Sequence, residues 1–155
     1  MLLVHYSDTP LTAVRDASQF GHRAGRARLG FKPNGLWVSV EGPMGWAEWC
    51  RDNEFRLDRL ACATQIVLNP AARILSIASV PGLREFSDRY AAPWRKSMPL
   101  HAIDWGRVAR EYQGIVIVPY QTSVRFELPW YSSWDCASGC VWDAGAIESV
   151  RPANG

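Results

Sequence analysis

Apolar positions along this chain recur at two different periods, and the two periods mark out strands and helices. Residues 2–6, Leu-Leu-Val-His-Tyr, are a short apolar run that reads as a strand beginning almost at the first residue. A strand buried so early puts His5 in the interior or in a cleft. Over residues 10–20, Leu11, Val14 and Ala17 fall at helical spacing, with Thr9 placed to cap and Pro10 at the first helical position. After the turn signal Pro33-Asn34, residues 35–40 alternate, so Leu36, Val38 and Val40 share one face while Trp37 and Ser39 share the other. Trp46, Trp49, Cys50 and Asn53 then keep helical spacing and predict a helix over residues 45–55.

Further along, residues 61–68 and 73–77 read as strands joined by Asn69-Pro70-Ala71-Ala72, a turn composition that suits a hairpin or a corner. Pro81 opens a helix running to Tyr90, and a polar, proline-marked connection follows at 93–99. A third helix is expected over 103–112, with Ile103, Val108 and Tyr112 on one side, Asp104 near its start and Arg107 and Arg110 toward its end, as the helix dipole prefers. Residues 114–118 are an unbroken apolar run and predict a central strand. Residues 120–133 form a long loop whose aromatics argue against disorder, 138–142 the final strand, and 151–155 a frayed tail. The expected architecture is a single α+β domain over residues 1–150, with no repeat and no low-complexity segment.

Composition adds one anomaly, 8 tryptophans in 155 residues, several times ordinary usage. Hydrophobic content of 48% with 21% charged residues excludes a disordered or collagen-like chain. A net charge of +2 is too mild to imply a nucleic-acid or membrane partner. Its distribution is more informative, because His22, Arg23, Arg26, Arg28 and Lys32 form one basic, glycine-rich stretch with no acid inside it. That stretch reads either as a solvated loop or as an arm contacting phosphates. The N-terminus lacks the features of a signal peptide, and no apolar run approaches the roughly eighteen residues of a membrane span, so a soluble cytoplasmic protein without a membrane partner is expected. Cys50, Cys62, Cys136 and Cys140 show no C-x-x-C pairing, which favours buried free thiols over zinc or a disulfide.

The common nucleotide motifs are missing. No G-x-G-x-x-G follows a strand, and Gly25-Arg-Ala-Arg-Leu-Gly-Phe-Lys32 lacks the adjacent Gly-Lys-Ser/Thr and the helix of a phosphate loop. There is no nucleophile elbow, and histidines at 5, 22 and 101 make no metal-ligand pair.

Three pieces remain: His5-Tyr6 on the first strand, Gly35-Leu-Trp-Val-Ser39 on the second, and Trp130 to Trp142 near the end, within which Ser138-Gly-Cys-Val-Trp-Asp143 forms the late strand. Together with Tyr112-Gln-Gly-Ile-Val116, this set resembles the ADP-ribosyltransferase fold in its His-Tyr-Glu branch, which includes poly-ADP-ribose polymerases and small bacterial toxins. The resemblance covers most of the chain in order and spacing. It implies a split, two-lobed, mostly antiparallel β core with flanking helices, and NAD as substrate with no metal. His5 matches the early histidine that holds NAD and Trp37 the aromatic that stacks on nicotinamide, while Ser138 stands where the family's glutamate opens the late strand.

Cleaving the nicotinamide N-glycosidic bond passes through an oxocarbenium-like state, so a site needs an aromatic wall for the leaving ring, a donor such as His for a ribose hydroxyl, and one acid near the developing charge. Asp135 is the acid nearest the matched position, with Glu127 and Glu148 in reserve. Tyr6, Ser39, Trp134 and Ser138 join His5 and Trp37 as candidate contacts to NAD, and Arg23, Arg26, Arg28 and Arg125 as candidate contacts to an acceptor or phosphate. The implied activity is ADP-ribosyl transfer to a macromolecular acceptor, nucleic acid or protein. Two alternatives stand beside it: an RNA 2′-phosphotransferase, if the arginines converge on the cleft, and a non-catalytic module whose aromatic cleft binds a nucleotide or peptide. Each residue also has a plain reading: His5 as a satisfied core histidine, Trp37 as packing, Asp135 as the closure of a turn. Among the tryptophans, Trp37, Trp130, Trp134 and Trp142 are expected around the cleft, and Trp46, Trp49, Trp94 and Trp105 in packing.

Overall fold

The computed structural model describes residues 1–14, 29–95 and 98–153. Seven strands make one sheet, in the order β10-β4-β1-β3-β9-β8-β5, and three make a second, β2-β7-β6. In the large sheet these are β1 (Leu3–Ser7), β3 (Leu36–Val40), β4 (Cys62–Leu68), β5 (Ile74–Ile77), β8 (Gly114–Ile117), β9 (Ser138–Val141) and β10 (Ile147–Pro152). The small sheet holds β2 (Leu29–Gly30), β6 (Ala91–Arg95) and β7 (Met98–Asp104), and the helices are α1 (Trp46–Asp52), α2 (Val80–Tyr90) and α3 (Trp105–Glu111). All pairings are antiparallel except β5 with β8, and the whole is a single small α+β domain. No helix among the described residues is long and apolar enough to cross a membrane.

Where local chemistry is strong, the elements fall as the pattern predicts. Ser79 caps α2 by accepting from the Gly82 N–H, with Pro81 in the first turn, and Asp104 caps α3 by accepting from the Arg107 N–H. The apolar run at 114–117 is buried at every position and lies between β5 and β9. Elsewhere tertiary pairing overrides the local reading. The helix expected over 45–55 ends at Asp52, and Ile103 belongs to β7 rather than to α3. Residues 10–14 carry no helix; the rest of the segment expected to be helical, with Arg23, Arg26 and Arg28, lies outside the described residues.

The two strands at 61–68 and 73–77 do not form a hairpin. Asn69 turns the chain, its side chain accepting from the Ala71 N–H, but β4 lies near one edge of the large sheet and β5 is the opposite edge. Of the polar connection expected at 93–99, residues 93–95 belong to β6 and 98–99 to β7, which pair antiparallel. Its prolines are tolerated because β6 is an edge strand, the β6–β7 ladder is irregular between Pro93 and Arg95, and β2 pairs only with Ile103 and Asp104. The frayed tail is also overturned at its start: β10 pairs with β4 as far as Pro152↔Thr64, and Ala153 donates to the Ala63 carbonyl.

The core is aromatic. Phe86, Tyr90, Trp105, Trp130, Tyr131, Trp134 and Trp142 are buried together, with successive ring centroids 5–6 Å apart, and tie α2, α3 and the 120–133 segment to the sheet. Strand β9 runs against β8 so closely that a Cβ on Gly139 would lie 2.5 Å from the Ile115 carbonyl oxygen. Backbone cannot yield there as a flexible side chain can. Gly139→Ala is therefore expected to cost about 1–3 kcal/mol, read as a lower urea midpoint, whereas alanine at exposed Gly42 meets no atom within 4 Å and only its positive φ opposes it.

Candidate functional site

The site originates in a break between two central strands. β1 keeps its ladder to β4 over all of Leu3–Ser7 but pairs with β3 only at Leu3↔Val40 and Val4↔Ser39. Past Val4 the side chain of His5 replaces the missing ladder bond, its Nδ1 lying 2.8 Å from the Trp37 carbonyl oxygen. A carbonyl only accepts, so Nδ1 carries the hydrogen, and Nε2 of the neutral ring is left as an acceptor.

At this opening lies a cavity of about 260 Å³, lined by Val4, His5, Tyr6, Lys32, Trp37, Val38, Ser39, Trp46, Trp134, Asp135, Cys136 and Ser138. Seven of the candidate residues, from both ends of the chain, thus meet on one surface: His5, Tyr6, Trp37, Ser39, Trp134, Asp135 and Ser138. Three indoles form its walls. Trp37 meets Trp134 edge-on at 4.8 Å, and Trp46 stacks on Trp49 at 5.2 Å. Trp46 was expected in packing, and its place follows from a cap supplied at a distance. Gly45 offers α1 no side chain, so the Ser39 hydroxyl accepts the Trp46 N–H at 2.9 Å and draws the start of α1 over β3. The Ser39 hydroxyl hydrogen remains available to a ligand. Lys32, whose Nζ lies 5.3 Å from the Trp37 ring centroid, is the cavity's cation.

Asp135 is held by Arg125, whose Nη2 donates to Oδ1 at 2.8 Å; the two side chains are 24% and 30% exposed. Oδ2 has no hydrogen bond among the described residues and is the oxygen left for a ligand. Ser138 donates to the Cys136 carbonyl at 3.1 Å, so its oxygen also remains an acceptor.

Other candidates fall elsewhere. Arg125 is paired with Asp135 and does not itself line the cavity. Glu127 pairs with Arg84 at the surface, at 2.9 Å. Glu148 is exposed on the edge strand β10, where the register shifts between Ile147 and Ser149 and leaves it out of the ladder. Trp130 and Trp142 belong to the core rather than the cleft: the Trp130 indole donates to the Ser87 hydroxyl, and the Trp142 indole donates to the Tyr112 carbonyl. Trp130 still supports the site from behind, edge-on to Trp134 at 6.1 Å.

All four cysteines are free; Cys50, Cys136 and Cys140 are buried and Cys62 is partly exposed, against the expectation that all are buried. Burial pushes the Cys136 thiol from an ordinary 9.0 up to about 11. Tyr6 rises from 10.0 to about 12, through burial first and then through the neighbouring Glu41 carboxylate. Both are acids that ionise later in the folded chain than in the unfolded one, so above pH 9 the unfolded state has released more protons. Their contribution to stability is whole below about pH 9 and is lost as pH rises through 11 and 12. Thermal midpoints are therefore expected to fall steadily between pH 8.5 and 11.5; a flat profile would refute the burial of these groups.

Among the described residues, no cluster of three or more His, Cys, Asp or Glu side chains is arranged to hold a metal ion. Compared with protein-family models, curated proteins and solved structures, the chain matches none.

Proposed function

We propose that the cavity binds the nicotinamide riboside half of NAD and that the protein is a glycosyltransferase moving ADP-ribose to a macromolecular acceptor. The observation that carries this reading is the polarity of the cavity wall. Three indole edges and faces surround a space that offers three uncommitted acceptors, His5 Nε2, Asp135 Oδ2 and the Ser138 hydroxyl oxygen, beside the Lys32 ammonium and the Ser39 hydroxyl hydrogen. Such a wall selects a flat, electron-poor ring bearing hydrogen-bond donors. A pyridinium ring with a carboxamide N–H₂ and a ribose carrying two hydroxyls has that chemistry. The volume is below the ~300–1,000 Å³ of sites that enclose a whole drug-sized ligand, which suits one ring and its sugar rather than an entire dinucleotide.

In this reading the ring lies against Trp37 and Trp46, and the ribose hydroxyls donate to His5 and Asp135. As the N-glycosidic bond breaks, its electron pair leaves with nicotinamide and cancels the ring's positive charge. The charge passes to the ribosyl carbon, where the Asp135 carboxylate stabilises it. A nucleophile on the acceptor then bonds to that carbon and gives up its proton to water. Binding without transfer is the weaker reading because Asp135 enters the same cavity as His5. Phosphotransfer is disfavoured because Arg125 is committed to Asp135.

The test is incubation with labelled NAD, alone and with RNA, DNA or protein, beside His5→Ala and Trp37→Ala variants. Nicotinamide release with label on one acceptor class, lost in both variants, is the expected result. No release and no labelled macromolecule in any mixture would sink the reading.

A further inference from the structure

The large sheet ends in two unlike edges. β10 carries features that discourage further pairing: Glu148 and Arg151 are exposed along it, its register shifts between Ile147 and Ser149, and Pro152 closes it. β5, Ile-Leu-Ser-Ile, has no charge, no proline and no register shift. Its neighbour β8 is parallel, and in a parallel pair alternate residues turn both backbone groups toward the neighbour while those between turn both away. The Val118 N–H donates to the Ile77 carbonyl at 3.0 Å, so Ile77 and Leu75 face β8, and exposed Ser76 keeps its N–H and its carbonyl on the open edge.

A second cavity, of about 270 Å³, lies along that edge, lined by residues 75–79 in unbroken succession and, from α2, by Gly82, Glu85, Phe86 and Arg89. Successive strand residues point to opposite faces, so a cavity that touches all of them follows the edge rather than one face. Ile77 lies under α2, where a Cβ on Gly82 would be 3.6 Å from its methyl group. Two charged side chains line the groove. Arg89 is committed to Glu111 at 2.8 Å, whereas exposed Glu85 has no ion-pair partner within 4 Å among the described residues.

We propose that this groove docks an extended peptide segment of a partner protein, which adds to β5 as an eighth strand and sets a lysine or arginine side chain against Glu85. An extended backbone supplies the paired N–H and carbonyl that Ser76 can bond, and the uncompensated carboxylate selects a base. Peptide side chains opposite Leu75 and Ile77 share their face, the one α2 covers and from which Glu85 projects into the groove. β8 and β9 separate β5 from β3, so the proposal stands whether or not the first cavity binds NAD.

The probes are two synthetic peptides of alternating valine and threonine, one with a central lysine and one with glutamate in its place. Amide hydrogen exchange followed by NMR reads the pairing directly: the lysine peptide should slow the Ser76 amide about tenfold or more and leave the Leu75 amide, already committed to β8, unchanged. No slowing at Ser76 with millimolar peptide overturns the proposal. Ser76→Pro removes only the outward N–H, a place where an edge strand tolerates proline, so it should fold and bind the lysine peptide about tenfold more weakly, while Ser76→Ala binds like wild type. Undiminished binding by a folded Ser76→Pro would mean that no strand is added. The glutamate peptide should bind about fivefold more weakly than the lysine peptide, and Glu85→Gln should erase the difference. Equal binding of the two peptides to wild type overturns the basic occupant. If Ser76→Pro does not fold, Glu85→Lys must invert the preference or the proposal fails. A Ser76 amide that is already slow without peptide, and slower as protein concentration rises, would assign the edge to a second copy of this chain instead.

Discussion

Asp135→Asn is expected to lower the rate of nicotinamide release about 10²–10³-fold while leaving NAD affinity within a few-fold. The substitution keeps the shape of the side chain, and its amide oxygen can still accept from Arg125 as Oδ1 does at 2.8 Å. What it removes is the charge that, in the proposed reaction, stabilises the ribosyl carbon as it becomes positive. Asp135→Ala should be worse in a second respect. Among the described residues the Arg125 Nε is already buried without a partner, and losing the carboxylate leaves the guanidinium with the Phe126 ring beneath it and no described anion, so stability should also fall by about 1–3 kcal/mol. Glu148→Gln, on the exposed edge strand, is the matched control and should retain the full rate. Release measured by chromatography decides the matter: full activity in Asp135→Asn would remove Asp135 from the chemistry.

Trp130→Ala is expected to be the most destabilising single truncation, at about 3–5 kcal/mol and a fall in thermal midpoint on the order of 10 °C. Trp130 is 1% exposed and touches Phe86, Trp105, Tyr131 and Trp134 at centroid distances of 5.4–6.1 Å. Its indole N–H also satisfies the Ser87 hydroxyl at 3.0 Å, so truncation leaves both a cavity and an unpaired buried group. Because Trp130 backs Trp134, the variant should bind NAD more weakly even where it is still folded. Trp49→Ala, at a half-buried position on α1, should cost far less; a comparable loss would mean the core is not organised around Trp130.

Much of the fold is legible locally. Strands β1, β3, β4, β8 and β9 follow from alternation or continuous apolarity, α2 from Pro81 at its start, and α3 from Asp104 at its start with Arg107 and Arg110 behind it. β6, β7 and β10 are not, for a shared reason. They lie in the small sheet or at the edge of the large one, where prolines and polar residues are tolerated because backbone groups are not all paired, so the local pattern resembles a connection or a tail.

The candidate site divides in the same way. Alternation in residues 35–40 already put Trp37 and Ser39 on one face, and the early apolar run already put His5 in an interior or a cleft. Only the tertiary structure decided that the β1–β3 ladder stops after Val4, that His5 fills the break, that Arg125 is committed to Asp135, and that Ser39 brings Trp46 to the cavity. It also moved Trp130 and Trp142 into the core, because the cluster they complete lies between α2, α3 and the sheet. The sequence alone determined which residues carry the chemistry of the proposed site and which face of β3 Trp37 and Ser39 occupy, since the two-residue period of a strand is a local property. Their meeting depends on contacts between positions as far apart as 5 and 135, and a long-range contact leaves no mark in the periodicity of either segment.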